Sequence, residues 1–266
     1  MISVALNGLL VLQFSNLTRY SALLHFSSTR GGGSSTGNYT SLNLGLNSGD
    51  ERGSVLLNRN HLCSALGIGD DRILFPKQTH TATVKVISDS FLSASLEDQK
   101  KYLFETDALI TGLSGICVAV KTADCVPVLL FDPTQKVVAA IHAGWRGTAQ
   151  GIVSETIRIM VEEFGSNPSE LVAGIGPSIS PEVYEVGEDV HSQFDPAFYS
   201  NTNPIKADKR LLDLWKANRD QLIKAGVPPD QIEIAGICTL SDPARFYSAR
   251  RDGAKTGRMG TGIMLK

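Results

Sequence analysis

The stretch from Thr122 to Gly147 constrains this chain more than any other. Two short apolar runs, Val126 to Phe131 and Val137 to Ile141, are joined through Asp132-Pro133-Thr134-Gln135. Runs of this length bounded by turn residues read as strands, and Asp followed by Pro suits a type I turn. A four-residue loop pairs Phe131 with Lys136, and counting back along the ladder sets Cys125 opposite His142 on the same face. Facing residues of an antiparallel pair have Cα atoms about 4.5–5.5 Å apart, close enough for a thiolate and an imidazole to share a metal ion. A slip of one residue places them on opposite faces. The alternative is a buried Cys and a satisfied His at the ends of two core strands.

The rest of the chain supplies material for one large α/β domain. Its 266 residues are 42% hydrophobic and 20% charged, values of a globular protein with a substantial core. A formal net charge of -2 argues against binding to nucleic acid or to an anionic membrane through a basic surface. Cys63, Cys117, Cys125 and Cys238 are far apart and form no CxxC, so a reducing cytoplasm is expected rather than a disulfide framework. Met1 to Leu6 lacks the basic start and long apolar centre of a signal peptide and reads as a first strand. No apolar run reaches membrane-spanning length. Nothing in the composition sets the oligomeric state.

Further strands are expected at Leu9 to Phe14, Leu23 to Phe26, the Thr/Val alternation ending at Ile87, Thr106 to Gly112, Ile116 to Val120, Val172 to Ile175, Ile232 to Ile237 and Phe246 to Ser248. Helices are expected from about Gly53 to Leu66, with Val55, Leu56, Arg59, Leu62, Cys63 and Leu66 near helical spacing and Gly67 as its stop. Others follow Gly147, with Val153, Ile157, Met160, Val161 and Phe164 on one face and Gly165 as cap, begin near Glu182, and span Leu212 to Ala225. The charged segment from Ser90 to Glu105 reads as an excursion. Ser27 to Gly37 is rich in glycine but fits neither phosphate-loop pattern. It is either a surface loop or, with Arg30 and its backbone amides, an anion cradle. The tail from Ala249 to Gly260 is basic and glycine-rich, either a loop over a site or a solvated terminus. No internal repeat or linker divides the chain, and a single mixed α/β domain over residues 1–266 is expected.

Five histidines, His25, His61, His80, His142 and His191, are too few for the several copper ions of a multicopper oxidase. One mononuclear site is feasible. Zinc accepts one thiolate and two imidazoles and in catalytic sites keeps a fourth position open. It would lower the pKa of its water to roughly 7. Cys125 and His142 come from the hairpin, and His80, set beside Gln78 and Thr79, is the best third ligand. Asp124 would orient a ligand or act in acid–base transfer. Arg146, at a strand-to-helix transition, suits phosphate or carboxylate; Arg30, Gln78 and Arg250 are further candidates for holding substrate or phosphate. A second reading needs no metal: Cys125 is a nucleophile and His142 its base, as in an amide hydrolase. It is separated from the first by whether His80 converges on the pair. A third reading makes the chain a binding module with Cys and His as core filling.

The sequence resembles the YfiH-type family, whose members go by the names polyphenol oxidase, laccase-like protein and purine nucleoside phosphorylase. The matching segments are Phe26 to Gly33, Ser41-Leu42-Asn43-Leu44-Gly45, Gln78-Thr79-His80, Thr122-Ala123-Asp124-Cys125-Val126-Pro127, His142-Ala143-Gly144-Trp145-Arg146-Gly147, Gly174 to Ile179, Tyr184-Glu185-Val186-Gly187, and Phe246 to Ser248 with Arg250-Arg251-Asp252-Gly253. They span most of the chain in order. The resemblance implies a single-domain layered α/β sandwich of the YfiH-like type and one zinc held by His80, Cys125 and His142. It implies phosphorolysis of adenosine, inosine, guanosine and methylthioadenosine, and deamination of adenosine, with purine nucleoside and phosphate as small-molecule partners. Some relatives edit cell-wall precursors. Oxidation of phenols is the weakest implication, since zinc is redox-inert, although the same donors also accept copper. The chain departs from the family pattern at Thr79, Thr81 and Val183, the last standing where a Cys is customary.

Overall fold

The computed structural model describes residues 1–200 and 208–266. The chain opens with strands β1 (Ile2–Leu6), β2 (Leu9–Gln13) and β3 (Leu23–Ser28), then helix α1 (Arg52–Leu66) and strands β4 (Ile73–Leu74) and β5 (Val84–Val86). Two short helices, α2 (Asp89–Ser93) and α3 (Leu96–Tyr102), precede β6 (Ala108–Thr111), β7 (Cys117–Thr122), β8 (Val126–Asp132) and β9 (Val137–Ala143). Next come α4 (Trp145–Ala149), α5 (Ile152–Phe164), β10 (Val172–Ile175), β11 (Glu185–Val186) and α6 (Glu188–His191). The last elements are β12 (Arg210–Leu211), α7 (Leu214–Lys224), β13 (Ile232–Ile234), α8 (Ala249–Asp252) and β14 (Met259–Leu265).

Among the described residues, one sheet runs β1-β2-β3-β14-β7-β4 and a second β13-β10-β8-β9-β6-β5. Their facing sides share a core in which Val118, Val120, Ile263 and Leu265 of the first meet Leu129, Phe131, Val138 and Ala140 of the second. The outer face of the first sheet packs on α1 through Leu62, Cys63, Phe26 and Ala119. The outer face of the second packs on α5 and α7 through Val128, Leu130, Ile141, Ile157, Met160 and Leu222. The result is a layered, mixed α/β sandwich. Because β8 and β9 are covered on both faces, both sets of alternating side chains are apolar, which is why their sequences read as unbroken apolar runs.

The hairpin forms in the middle of the second sheet with a register two residues from the expected one. Phe131 pairs with Val138, not Lys136, and His142 faces Pro127. Asp132 does open the turn, its Oδ1 accepting the amides of Thr134 and Gln135. The loop still has four residues but runs from Pro133 to Lys136, one position later than expected, with Lys136 in a left-handed conformation (φ 54°), as in hairpins built around a type I turn. A shift of two preserves side-chain parity. His142 therefore shares the inter-sheet face with Val138 and Ala140, and Cys125, just before β8, approaches it diagonally.

Several other expectations are corrected. Glu182 lies in a turn that leads into β11, not in a helix, and Phe246 to Ser248 is irregular. Leu56 and Val161 face solvent at 41% and 39% exposure. The basic tail continues into β14, which lies between β3 and β7 in the interior of the first sheet. Its glycines hide it from propensity: a Cβ on Gly260 would sit 2.8 Å from Leu44, and one on Gly262 2.9 Å from Phe26. The glycine-rich loop is folded inward. The amides of Gly33, Ser34 and Ser35 donate to Ser41 and to the fully buried Asn58 of α1, so they are not offered to an anion.

Candidate metal centre

The chain passes from the first sheet to the second between β4 and β5 and again between β7 and β8. His80 lies on the first crossing and Cys125 on the second, and His142 ends the strand paired with β8. Both crossings turn through left-handed backbone, at His80 (φ 64°) and at Asp124 (φ 89°). Such conformations cost non-glycine residues about 1–3 kcal/mol and persist where the surroundings impose them.

The surroundings at His80 are the carboxylate of Asp107, which is fully buried just before β6. Its Oδ1 accepts the His80 amide at 3.1 Å, and its Oδ2 accepts the amides of Thr79 and Thr81 and the Thr81 hydroxyl. The same Oδ1 lies 2.7 Å from Nδ1 of His142. One carboxylate thus fixes the turn that carries one imidazole and the orientation of the other. With Nδ1 engaged, Nε2 of His142 is left for the cluster.

The ligand atoms of His80, Cys125 and His142 lie within 4.8 Å of one another, and no other group of metal-ligating side chains occurs among the described residues. The imidazole centroids are 4.9 Å apart with the rings at 70°. His142 is buried, Cys125 half-buried and His80 exposed, so the cluster opens to solvent on the His80 side. Gly144 makes this convergence sterically feasible: a Cβ there would stand 3.0 Å from Cδ2 of His80 and 3.2 Å from Sγ of Cys125. Gly147 lets the start of α4 approach the His80 turn, since its Cβ would be 2.8 Å from the Thr81 carbonyl. Burial opposes ionisation of Cys125, but His142 and His80 outweigh it and draw the thiol below its usual value. Burial likewise opposes charging of His142, and the Cys125 thiolate with Asp107 outweighs it and raises that imidazole. Two imidazoles and one thiolate with a carboxylate behind one imidazole form a donor set that fits zinc with a fourth position open.

The cluster lies in the wall of a cavity of about 360 Å³, a size suited to a small organic ligand. Gln78 lines it, with its amide clamped to both backbone groups of Lys121. Lys77, Lys121 and Arg258 also line it; sequence reasoning named none of these, nor Asp107. Asp107 carried no periodic or spacing signal, whereas Arg258 belongs to the tail already marked as basic.

The other sequence candidates lie apart from this wall. The Asp124 carboxylate accepts bonds from Thr239 and Ser248 hydroxyls and the Arg250 amide. Arg30 donates to the carbonyls of Thr40 and Pro243 and stacks on Tyr247. Arg146 is exposed over Trp145, and Arg250 stacks on Tyr184 and donates to Glu185 O. Trp145, Tyr184 and Arg250 line a second cavity of about 400 Å³, and the charges of Arg250 and Arg146 both act on the Tyr184 phenol.

A profile of the family described as multi-copper polyphenol oxidoreductase laccase matches residues 24–266. A purine nucleoside phosphorylase of Bacteroides thetaiotaomicron is 42% identical over 259 residues, 96% of each chain. An adenosine deaminase, RL5, from an unknown prokaryotic organism is 38% identical over 91% of this chain and 93% of its own. Among solved structures, YlmD from Geobacillus stearothermophilus superimposes with a TM-score of 0.87 at 32% identity, covering 98% of this chain and 97% of that one.

Proposed function

The chain belongs to the family described as multi-copper polyphenol oxidoreductase laccase, and from its site we propose that it is a zinc-dependent purine nucleoside phosphorylase with adenosine deaminase activity. The observation that carries this reading is the convergence of His80, Cys125 and His142, backed by Asp107, on a cavity walled by cations. The names of the relatives at 42% and 38% identity support it. The copper of the family description is not followed, because several copper ions need more imidazoles than two, and only His80 and His142 of the five meet in a ligand cluster.

Bound by His80, Cys125 and His142, zinc would supply Lewis-acid polarisation and would activate water at neutral pH. The protein supplies the rest. Asp107 holds His142 in one tautomer, the left-handed turn presents His80, and Gly144 leaves room between them. In phosphorolysis a phosphate oxygen bonds to C1′ of the ribose as the bond from C1′ to the purine breaks. In deamination water adds at C6 and ammonia leaves. Both need a bound purine nucleoside; the first also needs an anion site, for which the cavity cations are suited. Adenosine, inosine, guanosine and methylthioadenosine are the proposed substrates. A reducing cytoplasm, which keeps the thiol of Cys125 free, is the proposed compartment; among the described residues no helix is long and apolar enough to cross a membrane.

Product analysis of adenosine with and without phosphate tests the proposal. Adenine with ribose 1-phosphate is the expected phosphorolytic product and inosine the expected hydrolytic one; recovery of unchanged adenosine in both arms overturns it. A second reading rests on the alignment of Cys125, His142 and Asp107, which is also the order of a thiolate nucleophile, its base and the base's orienting carboxylate. His80→Ala separates the two. It abolishes zinc binding and catalysis in the first reading, and spares a thiol-dependent amide hydrolase in the second.

A further inference from the structure

The cavity beside the cluster contains a lysine that belongs to no ion pair among the described residues. Lys121, near the end of β7, donates from Nζ to the Pro76 carbonyl at 2.7 Å and lies 5.2 Å from the centre of the Phe75 ring. An ammonium carries three N–H groups, and Pro76 occupies one; among the described residues no other acceptor meets them. The same ring carries the guanidinium of Arg59 at 4.6 Å, itself bound to the Leu44 carbonyl. Arg258, also in the cavity wall, donates to the carbonyls of Ala254, Thr256 and Gly257. None of these three cations belongs to an ion pair among the described residues. Asp107, the acid that acts on Lys121, is already committed to His142 and the His80 turn.

A buried charge is retained at a cost unless a partner of opposite sign arrives. Burial, with Arg59 and Arg258 adding repulsion, holds the Lys121 ammonium well below its ordinary value. The missing partner is an anion small enough to share the cavity with a nucleoside. Two cations of the cavity wall outside any ion pair among the described residues, Lys121 and Arg258, and a lysine with two donors to spare match a tetrahedral oxyanion, which accepts several hydrogen bonds at once.

We propose that Lys121 binds the phosphate co-substrate in the cavity beside His80, Cys125 and His142, with Arg258 as the second cation. This assignment rests on the phosphorolytic reading for its substrate, but not for its binding test. Lys121 donates its two remaining N–H groups to phosphate oxygens, and the anion relieves the repulsion among Lys121, Arg59 and Arg258. The Arg30, Arg146 and Arg250 guanidinium groups, outside the cavity wall, are not required for this step.

The test is calorimetric titration of the zinc-loaded full chain with inorganic phosphate alone, for wild type, Lys121→Met, Lys121→Gln and Lys121→Arg. Zinc content and thermal melting verify folding. Losing a charged hydrogen-bond donor should weaken phosphate binding by at least about tenfold in the Met and Gln variants, while Arg retains most of it. The KM for phosphate should rise by a similar factor. Wild-type phosphate affinity in both neutral variants overturns the assignment, and leaves the phosphorylase reading untouched if phosphorolysis persists. Phosphate binding that depends on Lys121 in a protein with no phosphorolysis sustains the anion site and overturns the phosphorylase reading instead. If both neutral variants fail to fold, the Arg variant decides, since loss of phosphate binding in a folded, zinc-containing Lys121→Arg protein contradicts a site that needs only a cation with N–H donors.

Discussion

Oδ1 of Asp107 lies 2.7 Å from Nδ1 of His142 and, on the same atom, accepts the backbone amide of His80 at 3.1 Å. Two of the three candidate ligands are therefore set by one side chain that is itself not a ligand. The third, Cys125, is brought in by the crossing from β7 to β8. Burial favours the protonated form of Asp107, yet His142 and the Thr81 donors outweigh it and hold the carboxyl at about 2.

Asp107→Asn should weaken zinc binding by roughly 10–100-fold, the usual effect of losing an outer carboxylate behind a ligating imidazole. The amide can still accept from the His80 turn, but its NH₂ group is a donor and cannot favour the protonated Nδ1 as a carboxylate does. Competition with a chromophoric chelator measures the change. An unaltered affinity would show that Asp107 only shapes the turn.

The thiolate and imidazolium of the zinc-free site make metal affinity depend on pH in a defined direction. Cys125 titrates at about 6 and His142 at about 9, each displaced by the other's charge. A zinc ligand must be a thiolate or a neutral imidazole. Between about pH 6 and 9 the free site has already lost the Cys125 proton and retains that of His142, so binding expels about one proton. The logarithm of apparent affinity should then rise by about one per pH unit, steepening below about pH 6 and flattening above about pH 9. A chelator-competition series across this range reads the slope. A flat profile near neutrality would mean that His142 is neutral before zinc arrives.

Gly144→Ala isolates the steric part of the site. The backbone of Gly144 (φ −66°, ψ 167°) suits alanine, so folding meets no conformational penalty there. The new methyl group, however, crowds His80 and Cys125 at 3.0 and 3.2 Å. The variant should melt near the wild-type temperature without zinc, yet bind zinc at least about tenfold more weakly, since small displacements of ligands are costly to a metal site. A fully loaded Gly144→Ala protein would refute this account of the glycine.

Much of the site was legible because its chemistry sits in short contiguous blocks. The apolar runs marked the hairpin, and the Cys125–His142 inference survived a wrong register because an error of two residues leaves both side chains on one face. His80 was legible only as a polar histidine, its turn being set by Asp107, remote in sequence just before β6. β14 was missed for a different reason. Its glycines serve the close packing of Leu44 and Phe26, a demand of the other layer with no trace in local propensity. Asn58, on the apolar stripe of α1, was also opaque; it is buried to hold the glycine-rich loop, through bonds to Ser34, Ser35, Ser41 and Asn43 that local sequence does not announce.

The two buried aspartates beside the cluster, Asp107 and Asp124, should separate cleanly. Asp124 stands next to Cys125, but its carboxylate faces the C-terminal segment, accepting from Thr239, Ser248 and the Arg250 amide. Asn tolerates the left-handed backbone that Asp124 adopts, so Asp124→Asn changes mainly one acceptor into a donor. With its oxygen in the Oδ2 place the Asn still accepts from Ser248 and the Arg250 amide, and its NH₂ group meets the Thr239 hydroxyl, which can rotate to accept. The carboxylate's charge behind these hydrogen bonds is lost, at about 1–3 kcal/mol, and the start of α8, whose Ala249 lines the cavity, is loosened. Thermal stability should fall and the KM for nucleoside rise, while zinc affinity stays close to wild type, the reverse of Asp107→Asn. If Asp124 transfers a proton in the reaction instead, kcat should collapse with KM unchanged and the pH profile should lose a limb. Measuring zinc affinity, melting temperature and the kcat and KM profiles of both variants side by side therefore assigns each aspartate its part.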